Sequence, residues 1–325
     1  MTMTADSTDS SRSDRPTAQT APTSPTATAP IVQAQQQTGL PPEQLLHSGN
    51  AGMIIYRVGQ LEYEFAREGR GYSVDLLKYV NDNQVGIATT FAYEEVFGVR
   101  DRMHWLIHMR SPNQYGELLE MVDHDEKFQD ISVVDRLPEK GHGNWEKMFT
   151  PRSFAERILV PQHGLHLRHG EAEGDGDATE AQNFAPSARH QSAQPFDVQL
   201  NSANAGAVVL READVKYEYR KEGRLFGFDW QEYVNRELAG RVTILLYEET
   251  FGRQDHIYWL IHLRSLDDWQ ALADLERTDG IQKEIYAKPR LHESKGGGTW
   301  DQLFVSTSIR DTLMLPYRTS DVAAS

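Results

Sequence analysis

Two histidines stand at matching places in two nearly identical stretches of the chain. The first reads Met103-His104-Trp105-Leu106-Ile107-His108-Met109-Arg110, the second Ile257-Tyr258-Trp259-Leu260-Ile261-His262-Leu263-Arg264. β-Branched and aromatic residues dominate both, which predicts strands. Successive strand side chains point to opposite faces, so Met103, Trp105, Ile107 and Met109 share one wholly apolar face. His104, Leu106, His108 and Arg110 share the other, as do Tyr258, Leu260, His262 and Arg264. A polar group on a covered face is costly unless it meets a partner or a ligand. His108 and His262 could then act as general bases or hydrogen-bond anchors for a bound organic molecule. The alternative is a neutral buried imidazole satisfied by Tyr or Glu on a neighbouring strand.

Just upstream, Tyr93-Glu94-Glu95 recurs as Tyr247-Glu248-Glu249. Adjacent carboxylates fall on opposite strand faces, so one of each pair reaches the inner face or pairs with Arg57 or Arg110 across the sheet, and the other lies near a helix or the rim. The candidate proton-transfer groups are therefore His108, His262, Glu95 and Glu249. The candidate substrate contacts are His104, Tyr258, Arg110, Arg264, Tyr93, Tyr247, Arg57 and Arg211. His104 and His108 have the spacing of a helical metal pair, but four residues along a strand span roughly 13 Å. Tyr258 replaces the first histidine in the copy, and no metal is expected. Neither Lys140-Gly141-His142-Gly143 nor Lys295-Gly296-Gly297-Gly298 is a phosphate-binding loop. No Gly-x-Ser-x-Gly elbow is present.

The elements that must hold these groups are encoded twice. Tyr93 and Tyr247 lie 154 residues apart, and this offset holds without a gap from Asn50-Ala51-Gly52 against Asn204-Ala205-Gly206. Such a repeat marks a duplicated structural unit. Each unit, about 115 residues long, suits a single-core domain. Gly52 to Arg57 and Gly206 to Arg211 read as strands that continue into alternating stretches, Leu61 to Phe65 and Val215 to Tyr219. Glu68-Gly69-Arg70 and Glu222-Gly223-Arg224 read as punctuation before a helix carrying Val74, Leu77 and Val80. A hairpin follows, with its turn at Gly98 to Asp101. Ser111-Pro112-Asn113-Gln114 and Ser265-Leu266-Asp267-Asp268 are helix starts of the capping-box type. One inserted residue then separates the copies before Trp145 and Trp300, which read as core plugs. Each unit ends on an apolar run, Ile158-Leu159-Val160-Pro161 or Leu313-Met314-Leu315-Pro316.

The expected organisation is a disordered tail over 1–45, a repeat over 46–163, an acidic linker over 164–200, a second repeat over 201–318 and a tail over 319–325. The 325 residues carry a net charge of −15 and no cysteine. No basic run exists to grip nucleic acid, no thiol chemistry is available, and no apolar stretch approaches membrane-spanning length. A soluble cytoplasmic protein is expected.

Strand, helix, hairpin, helix and closing strand make the βαββαβ ferredoxin-like plan. The fold class is thus α+β: two ferredoxin-like repeats in one chain, paired through their sheets. The Trp-Leu-Ile-His hairpin strand followed by a capped helix resembles the dimeric α+β barrel superfamily, in the manner of its NIPSNAP-type and antibiotic-biosynthesis-monooxygenase-type members. That resemblance, over about two thirds of the chain, implies a barrel-like pairing of the two halves. It also implies three kinds of function: cofactor-independent oxygenation or cyclisation of an aromatic, polyketide-like substrate, non-catalytic ligand binding or scaffolding, or haem binding with His108 or His262 as proximal ligand. The expected partner is a small hydrophobic or aromatic molecule, with a homo-oligomer left open and no cofactor in the first two cases.

Overall fold

The computed structural model describes residues 31–163 and 180–318. The expected tail before residue 31, the acidic stretch 164–179 and residues 319–325 lie outside the described residues. The first half runs β1 (Met53–Gln60), α1 (Ala66–Asn83), β2 (Ala88–Val96), β3 (Arg102–Met109), α2 (Pro112–His124), α3 (Glu126–Val133), the short α4 (Trp145–Met148) and β4 (Ala155–Pro161). The second runs β5 (Ala207–Asp214), α5 (Arg220–Glu237), β6 (Val242–Thr250), β7 (His256–Leu263), α6 (Asp267–Leu275), the turn α7 (Asp279–Ile281) and β8 (Arg310–Pro316).

The eight strands form one closed barrel in the order β1-β3-β2-β8-β5-β7-β6-β4. Every strand pair is antiparallel. The halves therefore join along strand edges at two seams, β2 with β8 and β4 with β6, and do not stack face on face. Closure leaves no open sheet edge to be paired or protected. Among the described residues, no helix is long and apolar enough to cross a membrane.

Alternation assigns the layers as the residue pattern requires. Met103, Trp105, Ile107 and Met109 pack outward under the first-half helices with Leu77, Val80, Leu118 and Phe128. Ile257, Trp259, Ile261 and Leu263 pack likewise in the second half. The inward positions Ile54, Tyr56, Phe91, Tyr93, Leu106, Leu159, Val208, Leu210, Leu245, Tyr247, Tyr258, Leu260 and Met314 fill the barrel with side chains.

Three expectations change. Leu61 to Phe65 is not strand: β1 stops at Gln60, Leu61 makes one isolated bridge to Phe149, and a 3-10 turn over Tyr63–Phe65 leads into α1. Glu68-Gly69-Arg70 accordingly lies inside α1. Its glycine serves close approach, because a Cβ at Gly69 would stand 2.3 Å from Leu61 Cδ2, and one at Gly223 would stand 2.4 Å from Val215 Cγ1. Lastly, the expected solvated segments up to residue 45 and from 180 to 200 include parts that pack against the barrel. Gln37 accepts from the Ala92 N–H (2.8 Å) and donates to the carbonyls of Ala92 (2.7 Å) and Tyr317 (3.0 Å). Gln191, 154 residues on, accepts from the Leu246 N–H (2.8 Å) and donates to the carbonyls of Leu246 (2.7 Å) and Gln162 (2.8 Å). Each glutamine thus ties one inter-half seam.

The glycine that opens each half has no room for a side chain. A Cβ at Gly52 would meet the Arg110 carbonyl oxygen at 2.1 Å, and one at Gly206 would meet that of Arg264 at 2.3 Å. Gly39 has nothing within 4 Å. Gly206→Ala should therefore cost about 3 kcal/mol, seen as a lower urea midpoint at unchanged slope, while Gly39→Ala leaves the midpoint within error.

Candidate functional site

One end of the barrel interior holds a closed polar network built from both halves. Ser202 Oγ lies 2.9 Å from His108 Nε2, and Ser48 Oγ lies 2.8 Å from His262 Nε2. The serines bind each other crosswise, each N–H donating to the other's Oγ at 2.9 Å. His108 Nδ1 faces the Thr89 carbonyl at 3.1 Å and His262 Nδ1 the Thr243 carbonyl at 3.0 Å. A carbonyl only accepts, so Nδ1 carries the hydrogen and Nε2 of the neutral ring accepts from the serine hydroxyl. Tyr93 donates to the Ser202 carbonyl at 2.5 Å, and Tyr247 donates to that of Ser48. His108 and His262 are 0 % exposed. Burial holds their pKa values down to about 3 and about 4.

Haem ligation by either histidine does not fit this arrangement. Both nitrogens of each ring are engaged, and side chains fill the interior around them.

At the other end of the barrel, His104 bridges the Tyr56 hydroxyl (2.8 Å) and Glu95 (3.3 Å). Glu95 also accepts the Val99 N–H of the hairpin turn at 2.7 Å. Burial alone would raise the Glu95 carboxyl, but His104, that N–H and Arg102 hold it below its usual value. Glu249 repeats the turn contact with the Arg253 N–H (2.9 Å) and accepts from Tyr258 (3.1 Å). Glu94 and Glu248 are the members of each pair on the helix side, where they meet Arg70 of α1 and Arg224 of α5. Arg110 and Arg264 follow the last strand residues, outside the inward set to which alternation assigned them. The Arg110 backbone N–H donates to Gln114 Oε1 (3.0 Å), and the Arg264 guanidinium donates to the Gly240 carbonyl.

Arg57 leads elsewhere. It lies on the outer face of β1, pairs with Glu156, and lines a cavity of about 710 Å³ between the sheet and the first-half helices. β3 supplies Trp105 and Ile107; α1 supplies Tyr72, Leu76, Leu77 and Val80. Leu118, Leu119 and Val122 come from α2, Phe128 and Ser132 from α3, and Trp145, Phe149 and Phe154 close one end. Trp145 thus stacks on Tyr72 (6.0 Å between centroids) as part of a cavity wall. Burial raises the Tyr72 phenol above its ordinary value, against the pull of Ser132, Arg57 and Arg136. A volume near 700 Å³ lies within the usual range of small-molecule sites.

The equivalent space in the second half measures about 340 Å³. Trp230 stands where the first half has Leu76, Glu276 where it has Val122, and Tyr286 where it has Ser132. Trp230 Nε1 donates to Glu276 at 2.8 Å, and the Tyr286 hydroxyl donates to the same carboxylate. Three side chains, mutually hydrogen-bonded, therefore occupy much of what is open in the first half. Among the described residues, no cluster of three His, Cys, Asp or Glu side chains is poised for a metal ion.

Of the sequence-predicted residues, Arg57 lines the larger cavity and Arg211 the smaller, whereas the His, Glu and Tyr candidates lie inside the barrel. Tyr72, Leu76, Val122 and Ser132 were missed. Their signal lay in where the two copies differ.

Comparison with known families matches residues 23–322 to one described as a family of unknown function, DUF6039. The chain belongs to that family. No curated protein matches it. Solved structures similar to this DUF6039 protein include a candidate monooxygenase from Lactobacillus acidophilus, at 8% identity and TM-score 0.47, covering 82% of this chain and 93% of that one. An anthrone oxidase-like protein aligns at 10% identity and TM-score 0.45, covering 89% and 95%. A mutant chlorite dismutase from Candidatus Nitrospira defluvii aligns at 11% and 0.44, covering 84% and 95%.

The buried imidazoles make acid stability diagnostic. Their folded pKa values lie below the unfolded value of 6.5, so their contribution is complete above pH 6.5 and is lost as pH falls toward about 4 and then 3. Each group contributes at most about 1.4 kcal/mol per pH unit. The thermal midpoint should drop between pH 6.5 and 5, and this drop should be shallower in a His108→Gln/His262→Gln variant that starts from a lower midpoint at pH 7.

Proposed function

We propose that the chain binds one flat, mostly apolar small molecule in the cavity of its first half and holds an oxygen of that molecule beside Tyr72. The observation that carries this reading is the contrast between halves: about 710 Å³ against about 340 Å³ at equivalent places. On the same reading the chain is a tandem of ferredoxin-like units fused as the two halves of a dimeric α+β barrel, which the constant 154-residue offset supports. His108 and His262 then act as structural ties.

An oxygen near Tyr72 meets donors. Burial keeps the phenol protonated at neutral pH, with Ser132 as its side-chain partner, and the guanidiniums of Arg57 and Arg136, paired with Glu156 and Asp75, lie near enough to pull its pKa back. Such a corner favours an enolate or phenolate oxygen over a neutral carbonyl. Oxygenation or cyclisation of an aromatic substrate can proceed through that kind of anion. A second reading, binding without turnover, has one observation in its favour. The carboxylate lining the cavity, Glu156, is held by Arg57 and is poorly placed to take a proton.

Calorimetric titration with 2-naphthol and naphthalene tests the site. One equivalent per chain should bind, with 2-naphthol favoured roughly five-fold, about one net hydrogen bond. Tyr72→Phe/Ser132→Ala should remove that preference without lowering the thermal midpoint by more than a few degrees. Two equivalents per chain, or a preference untouched in the variant, would sink the reading.

A further inference from the structure

The closed half shows what the open half lacks. In the second half Arg211 does two things at once. Its guanidinium pairs with Asp311 at 2.7 and 2.8 Å, and its Cζ lies 5.2 Å from the centroid of the Trp230 ring. The Trp230 indole in turn meets Trp259 edge-on, at 5.7 Å and 80°. The first half repeats every part of this arrangement except the ring. Arg57 pairs with Glu156 and sits opposite Trp105 in the sheet register, as Arg211 sits opposite Trp259. Leu76 takes the place of Trp230, and among the described residues no ring makes with Arg57 the cation–π contact that Trp230 makes with Arg211. Arg57, Leu76 and Trp105 all line the open cavity.

We infer that the first-half ligand is an electron-rich aromatic molecule whose ring lies against Arg57 and edge-on to Trp105, in the place the Trp230 indole fills in the second half. This rests on the binding reading above and adds the ligand's chemical class and pose. A guanidinium fixed by a carboxylate presents a planar cationic face, which an aromatic ring satisfies and a saturated ring does not. Val122 stands where Glu276 accepts the indole N–H, so the edge of the ligand ring facing α2 carries no hydrogen-bond donor. Ser132 stands where Tyr286 projects its phenol, so the open space runs from the Trp230 position toward Ser132, where a second ring of the ligand would lie. An oxygen on that second ring would reach the Tyr72 corner.

The test compares 2-naphthol with decahydro-2-naphthol, a saturated alcohol of similar shape and at least equal hydrophobicity, by calorimetric titration of the full chain. Wild type should bind the aromatic alcohol roughly ten-fold more tightly. Arg57→Met should narrow that ratio to about two-fold. Leu76→Trp/Val122→Glu/Ser132→Tyr, which gives the first half the second half's own hydrogen-bonded plug, should abolish binding of both alcohols while the thermal midpoint stays within a few degrees. Equal affinity for the two alcohols in wild type overturns the ring placement and leaves the cavity site standing. A ratio unchanged in Arg57→Met does the same. Undiminished binding of both alcohols by that triple variant, or no binding of either by wild type, overturns the cavity site and the inference together.

Discussion

The structure depends on a reciprocal tie across the barrel axis, in which each half lends a serine to the other half's histidine. Ser48 precedes β1 yet binds His262, and Ser202 precedes β5 yet binds His108. Burying two imidazoles, two hydroxyls and two tyrosine hydroxyls would be prohibitive if any were unpaired. Here each donor has an acceptor, and a fully satisfied buried network specifies one arrangement while a partly satisfied one would not. The tie fixes where β1 and β5 begin, and hence which residues of β3 and β7 face inward. With Tyr93, Tyr247, Phe91 and Tyr258 filling the rest of the interior, space for a ligand is displaced to the outer face, under the helices.

Two halves with the same backbone plan then differ through a few side chains. Exchanging Leu, Val and Ser for Trp, Glu and Tyr fills one cavity and leaves the other open. The closed version is self-consistent. The two donors that enter, Trp230 and Tyr286, converge on the one carboxylate that enters with them, so no polar group is stranded. A widened π turn over Gln282–Tyr286 carries the phenol into place, and such turns are often found where a helix serves a site. Arg136 and Arg290, paired with Asp75 and Asp229, brace the same helices in both halves and so do not distinguish them.

Much of the architecture was legible because strand alternation and a fixed repeat are properties of spacing alone. The inward placement of His108 and His262 and the outward placement of Trp105 and Trp259 follow from period two. Whether an inward face encloses a void does not follow from period, and here bulky Tyr and Phe fill it. Leu61 to Phe65 alternated for a different reason: Leu61 and Phe65 are buried on the approach to α1 while Tyr63 faces solvent. Gly69 looked like a turn because composition does not reveal a neighbour's methyl group at its missing Cβ. Gln37 and Gln191 were hidden in polar, low-complexity surroundings, since backbone atoms of distant strands satisfy them. The cavity was recoverable in principle. Likeness between the copies marks what the fold needs, so Leu76 against Trp230 and Ser132 against Tyr286 were the informative positions.

The two seams and the crossed serines have a topological consequence. Neither half contains the partners for its own edge strands, its own histidine or its own seam glutamine's full set of carbonyls. A polypeptide severed between the halves would yield fragments that are each incomplete and mutually complementary, so reassembly from two separately made pieces would restore a barrel that neither piece forms by itself.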